Sequence, residues 1–423
     1  MQAELSPLTH LAIIWCGVFV AIVAARKTKL TPVLYYLAVG AILVNIGVLP
    51  EESHAFIRGF AEIGIVLIMF ALGFEESTSN FITSIKRSWG IAFFGGVAPF
   101  AITYFVADYF WDDTEISLIC GLAMTATSVS LAMVSLKEVN LLGSRAASGI
   151  MTSAVLEDIA SLALVAVIVP MAAGDAELGT GEIVWILLQA LLFFLAIVII
   201  GTVILPHERI AWLMRIPIIG KLGVKHLFAF GEGQHATLGA LTLAALVGVL
   251  AHYMGMHPAV GAYMAGLILK EEYFHFLDHP KTNYYENTKR IVDNVAFSWI
   301  GPVFFVDLGT KIVFDWEIVV SVIPETIALT VGMLVVQVAS SALSARYTGH
   351  FTWGEGMMIG FGMLGRAELA FVVMDIAFVQ NPILSQEAFY TLMFTAFWLN
   401  VSVPVTIAWW KPYYTGEKKL RSG

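Results

Sequence analysis

The sequence predicts an all-α membrane protein of about thirteen transmembrane helices, and three observations carry that prediction. Of 423 residues, 58% are hydrophobic and 13% charged, with a mean hydropathy of +0.82. A water-soluble domain needs far more charge than this to cover its surface. Apolar stretches recur from end to end, most of them close to the ~20 residues that cross a hydrocarbon core. The basic residues fall on alternate loops.

The apolar stretches run 9–25, 31–49, 55–74, 86–110, 115–135, 146–171 and 182–205, then 235–253, 257–270, 291–312, 316–344, 355–378 and 386–410. The ninth is short. With the N-terminus outside, the external loops read PEESH, WDDTE, GDAELGTGE, GMHP, FDWE and QNP, without a Lys or Arg. The opposite side collects all but three of the 23 basic residues, from Arg26, Lys27 and Lys29 to Lys418, Lys419 and Arg421. Positive charge gathers on cytoplasmic loops, so the C-terminus is expected in the cytoplasm. A miscounted span would scramble the alternation after the error.

Composition also excludes several classes. The net charge of -9 and the lack of a basic cluster exclude a nucleic-acid surface. Cys16 and Cys120 lie far apart in apolar runs, which predicts free thiols. Met1 to Pro7 carries no basic region and no cleavage site follows, so the first stretch is expected to be a span. No HExxH, P-loop or GxSxG pattern is present, so neither an enzyme nor a cofactor is expected.

Three basic residues escape the alternation: Arg58, Lys311 and Arg366. The first two each have a carboxylate four residues away, Glu62 and Asp307, which predicts helical pairing near external helix ends. Arg366 lies mid-span, where a charge is costly and is a functional candidate by default. Glu157 and Asp158 lie mid-way along the sixth span, flanked on both sides by apolar sequence. Successive helical residues point about 100° apart, so one acid is expected to meet a substrate and the other a different partner.

Two spans carry helix-breaking or polar residues at mid-depth. The fifth has Thr125, Thr127, Ser128 and Ser130, and the twelfth has Gly360, Gly362 and Gly365 ahead of Arg366 and Glu368. Irregular backbone at that depth survives only where it is buried in protein or lines a cavity. With the seventh span as linker, each is the fifth span of its unit, and the two units start on opposite sides of the membrane. Inverted repeats with two discontinuous helices crossing near mid-membrane are therefore expected, an arrangement that aims half-helix dipoles at an ion.

At this point the residues carry a family resemblance. FAEIGIVLIMFALGFEES, TATSVSLAMVSLKE, the Glu157–Asp158 pair, MHPAVGAYMAGLIL, GPVFFVDLGTKI and GRAELAFVV occur in this order. Together they make the chain similar to the monovalent cation/proton antiporter superfamily, over nearly its whole length. It resembles bacterial sodium/proton antiporters of thirteen spans and the membrane part of potassium-efflux antiporters. The resemblance implies an elevator mechanism in a homodimer of a bacterial inner membrane, with membrane lipids around it.

Its implied domains are a dimerisation domain at 1–80 and 235–313, and an ion-transport core at 81–175 and 314–410. A linker helix and cytoplasmic connection at 176–234 and a tail at 411–423 complete the chain. The resemblance assigns Asp158 to the cation and the proton, with Thr127 beside it in the broken helix and Ser128 next in line. It matches Arg366 and Glu368 to a basic–acidic couple that neutralise one another or Glu157.

Two departures stand out. The first acid of the pair is Glu157 where relatives have Asp, Asn or Gln. Gln337 falls where electrogenic relatives carry a lysine, and since glutamine cannot titrate, electroneutral exchange is expected. The residue chemistry agrees with exchange: a carboxylate drawn out of water holds protons more tightly, and a proton and a small cation then compete for it. Hard oxygens from Asp158, Thr127 and freed carbonyls suit Na⁺ or K⁺, and sequence does not choose between them.

A sodium-coupled organic-anion carrier would need anion-directed donors, and apart from Arg366 the core has few. A membrane sensor or channel is the rival from another class. A sensor needs an output domain, and only thirteen residues follow Trp410.

Overall fold

A computed structural model describes residues 6–28, 30–75, 78–172, 180–201, 235–274, 284–366 and 368–417. The expected cytoplasmic connection from 202 to 234, with Arg209, Arg215, Lys221 and Lys225, lies outside the described residues. So do Lys29, Lys281, Lys418, Lys419 and Arg421.

Among the described residues the regular structure is entirely helical. In chain order the helices are α1 (Pro7–Thr28), α2 (Pro32–Asn45), α3 (Ala55–Glu75), α4 (Thr78–Trp111), α5 (Thr114–Ala123), α6 (Val129–Glu138) and α7 (Arg145–Ala172). There follow α8 (Thr180–Ile199), α9 (Ala236–Tyr253), α10 (Pro258–Ile268), α11 (Tyr284–Asn294), α12 (Gly301–Gly309) and α13 (Trp316–Ser321). The last are α14 (Ile323–Tyr347), α15 (Trp353–Gly362), α16 (Glu368–Asp375) and α17 (Gln386–Tyr414). Eight helical stretches among the described residues are long and apolar enough to cross a bilayer, in α1, α3, α4, α7, α9, α11–α12, α14 and α17. The chain is thus an integral, multi-pass membrane protein.

The chain divides into two compact units. One gathers Met1–Ser53, Asn80–Asp175 and Phe305–Gly423, and the other His54–Ser79 and Ala176–Phe304.

In the second unit, small residues bring helix backbones into contact. A Cβ on Gly73 of α3 would lie 2.0 Å from the Tyr263 carbonyl oxygen, and one on Gly266 of α10 would lie 2.4 Å from that of Phe70. On another face of α10, a Cβ on Gly261 would lie 2.4 Å from the Val247 oxygen of α9. The stripe AVGAYMAG is consequently buried inside its own chain. Its two glycine faces are filled by α3 and α9 of the same chain.

The first unit contains both interrupted helices. The fifth span is split into α5 and α6 by Met124–Ser128, and the twelfth into α15 and α16, with Met363–Arg366 between them. Local chemistry fixes where each half begins. Asp113 caps α5, accepting from the Glu115 and Ile116 amides at 2.8 and 3.0 Å. Thr352 and Glu355 form a reciprocal capping box on α15. At the end of α5 the Thr125 hydroxyl donates to the Leu122 carbonyl at 2.6 Å, a local bond that competes with helix continuation.

The expected pairing of Lys311 with Asp307 is not what forms. Lys311 Nζ donates to the Glu51 carbonyl at 2.5 Å, and Asp307 accepts from the Ser53 hydroxyl. Helix α12 ends at Gly309, so the four-residue spacing no longer stacks the two side chains on one face.

Candidate functional site

The two breaks meet. The Ser128 amide, at the start of α6, donates to the Gly365 carbonyl of the second break at 2.9 Å. Gly365 eases this approach: a Cβ there would make tight contacts, 3.2 Å from both Ser128 Cβ and Leu131 Cδ2 and 3.3 Å from Asn400 Oδ1. Ser128 also caps α6, its hydroxyl accepting from the Leu131 amide at 3.4 Å.

Unwinding leaves helix ends inside the protein, and charge compensates them. Arg366 is wholly buried, and its Nη1 donates to the carbonyls of Met363, Leu364 and Gly365 at 3.0, 3.3 and 2.9 Å. Those carbonyls prolong the C-terminal, partially negative end of α15. Glu368 opens the first turn of α16, at its partially positive N-terminal end. The couple read from the sequence therefore has each charge on a complementary half-helix end. The hydrogen bonds of Arg366 go to these carbonyls and to Gln337, not to a carboxylate.

Gln337, in the middle of α14, sits at the centre of this network. Its Oε1 accepts from Arg366 Nη2 at 2.8 Å, and its Nε2 donates to the Gly95 carbonyl of α4 and to Ser341 Oγ, both at 3.1 Å. With both functional atoms engaged, the amide orients the guanidinium without adding charge.

The two acids of α7 have separate surroundings, as adjacent helical positions require. Glu157 is 2% exposed and its Oε2 accepts from the Thr127 hydroxyl at 2.9 Å. Its Oε1 lies over Gly95, 2.6 Å from where a Cβ would stand, and has no hydrogen-bond partner. Asp158 is half-buried and more open than its neighbour. Thr127, expected beside Asp158, is bonded to Glu157.

Two participants were not named from the sequence. Ser161, one turn beyond Glu157, shares a 3.0 Å hydrogen bond with Thr125 of the first break. Asn400 of α17 bonds the backbone of Arg366 through both functional atoms. A lone asparagine in the apolar run FWLNVSVPV was the available signal.

Carboxylate, hydroxyl and unwound carbonyl oxygens thus collect around one crossing. No group of three or more His, Cys, Asp or Glu is gathered among the described residues. The donors are hard oxygens with few carboxylates, which suits a weakly held monovalent cation or a proton.

Comparison with known proteins decides the family. The model of the transmembrane sodium/hydrogen exchanger family matches residues 15–410. The chain belongs to that family. A similar relative within this group of antiporters is the probable Na⁺/H⁺ antiporter GerT of Bacillus cereus, 26% identical over 351 residues, covering 81% of this chain and 82% of GerT. The Na⁺/H⁺-K⁺ antiporter GerN of the same organism is 23% identical over 378 residues, covering 86% and 87%. Among solved structures, the sodium proton antiporter MjNhaP1 from Methanocaldococcus jannaschii shares the fold, with a TM-score of 0.67 at 13% identity, over 96% of this chain and 99% of that one.

Proposed function

We propose that this protein is a secondary active transporter exchanging Na⁺ for H⁺, with Asp158 holding the cation and the proton in turn. The observation that carries the reading is the Ser128–Gly365 crossing of two broken helices beside the acid pair of α7, in a chain of the exchanger family. Asp158, the more open of the two acids, exchanges ligands with water. When it is ionised, its oxygens and nearby hydroxyl and carbonyl oxygens replace part of the hydration shell of the cation. When it is protonated the charge is gone and the cation leaves. One site that accepts either ligand but not both is sufficient for antiport once access alternates.

Around that site the other residues hold geometry and charge. Thr127 keeps Glu157 in place, Gln337 aims Arg366, and Arg366 and Glu368 balance the half-helix ends. Alternating access is of the elevator type, with a core at 81–175 and 314–410 moving against a dimerisation domain at 1–80 and 235–313. The chain has thirteen spans, acts as a homodimer in a bacterial inner membrane, and its N-terminus is external. The exchange is electroneutral.

A second reading is K⁺/H⁺ exchange, favoured by the name of GerN, which includes potassium. Purified protein in liposomes loaded with a pH-sensitive dye tests both. Addition of Na⁺, K⁺ or Li⁺ to an acid-loaded vesicle reports exchange for each ion, and no dye response to any of them would refute the proposal.

A further inference from the structure

Arg366 lies after the last residue of α15 and before the first of α16, so its backbone N–H and C=O have no place in either helical ladder. At membrane depth such groups require a protein partner. A single side chain supplies both: the Arg366 amide donates to Asn400 Oδ1 at 2.8 Å, and Asn400 Nδ2 donates to the Arg366 carbonyl at 2.7 Å. Asn400 is wholly buried in α17. A carboxamide carries an acceptor and a donor side by side, so it pairs with one residue's backbone as a neighbouring strand would. The same Oδ1 stands against Gly365, whose carbonyl receives the Ser128 amide.

From these contacts we infer that Asn400 is a positioning residue for exchange. It holds the backbone of Arg366 so that the guanidinium turns back over the end of α15 and reaches Gln337. The inference rests on the reading of the helix crossing as the exchange site. Of the charged groups at the crossing, Arg366 in the second break, Glu157 and Asp158 on α7, and Glu368 at the head of α16, Asn400 bonds Arg366, and it does so through the backbone. Removing the clamp frees the break to shift, and with it the fixed positive charge opposite the acid pair. Cation affinity and the pH profile should respond, not folding alone.

The test exploits a chemical equivalence. A protonated aspartic acid has the same pattern as asparagine, with a hydroxyl donor and a carbonyl acceptor, whereas the ionised form has acceptors only. Full-length Asn400→Asp and Asn400→Leu are reconstituted in liposomes, and Na⁺-driven proton flux is measured from pH 6 to pH 9 as a ratio to wild type. The pH limits, about 6 and 9, bracket the neutral range in which an aspartyl proton held by burial is lost. Asn400→Asp should approach wild-type flux at the acid end and fall about tenfold at the alkaline end, one hydrogen bond having become a repulsion. Asn400→Leu should stay low throughout.

An Asn400→Asp ratio that is flat with pH would overturn the inference, whether flat at wild type or flat near zero. Failure of that variant to purify folded at acid pH would count against it equally, because its neutral form restores both bonds. Asp158→Asn, measured in parallel, separates the two readings. Full exchange by that variant refutes the site, and the pH ratio of Asn400→Asp still reports on the clamp.

Discussion

Arg366 Nη2 donates to Gln337 Oε1 across 2.8 Å, so the buried cation of the second break is bonded to a neutral amide on α14. Three carbonyls at the end of α15 accept from its Nη1. The arginine is thereby an internal charge of fixed position, and the acids of α7 experience it through space rather than through a shared hydrogen bond.

Replacing Arg366 by alanine should destabilise the protein as well as stop exchange. Three carbonyls and the Gln337 oxygen would lose their donor in a dry interior, at a combined cost of about 3–5 kcal/mol. Thermal melting in detergent should show a clear drop for Arg366→Ala. Arg366→Lys should recover little of it, because an ammonium lacks the planar fork that serves four acceptors. A variant with an unchanged melting temperature and altered cation affinity alone would indicate that Arg366 contacts the cation directly.

Thr127→Val is nearly isosteric and removes only the donor to Glu157 Oε2. Glu157 would then have no hydrogen bond on either oxygen, since Oε1 already lacks one. The expected effect is about 1.5–3 kcal/mol, the range for a bond to a charged group, seen as a tenfold or greater loss of exchange. Thr127→Ser should keep the bond and most of the activity. Equal rates for the valine variant and wild type would remove Thr127 from the site.

Gln337 cannot titrate, and both its functional atoms are engaged. If Asp158 alone cycles, one proton exchanges for one monovalent cation and no net charge moves. Flux in liposomes clamped with potassium and valinomycin should then be independent of potential for Na⁺ exchange. A current with the sign of excess proton movement would show that Glu157 also titrates during the cycle.

The proposed homodimer needs a surface other than the AVGAYMAG stripe, which is enclosed by α3 and α9 of its own chain. Native mass spectrometry from mild detergent should show twice the chain mass. A monomer under every lipid condition would show that the protein does not dimerise.

Much of this was legible in the sequence because membrane physics is restrictive. Charged and helix-breaking residues are so unfavourable at mid-depth that Glu157, Asp158, Arg366 and the glycines around it could only mark something built. The breaks at Met124–Ser128 and Met363–Arg366 follow from the same rule. Partners were harder to see. Spacing paired Lys311 with Asp307, but the end of α12 at Gly309 sent the ammonium to a backbone carbonyl. Thr127 went to Glu157 and not to Asp158, because the direction of a side chain across an unwound segment has no periodicity to reveal it. Asn400 and Ser161 are ordinary polar residues of apolar helices, and only the three-dimensional crossing distinguishes them from packing residues.

Competition between a cation and a proton for Asp158 is tested by Asp158→Asn in liposomes. The amide keeps the shape of the side chain and removes its charge, so the variant should insert, purify and melt as wild type does. No dye response to Na⁺, K⁺ or Li⁺ is expected from that variant. In wild type, the apparent KM for the cation should rise as pH falls, approaching about tenfold per pH unit where the proton dominates the site. Exchange at the wild-type rate by folded Asp158→Asn protein would show that Asp158 is not the exchange site.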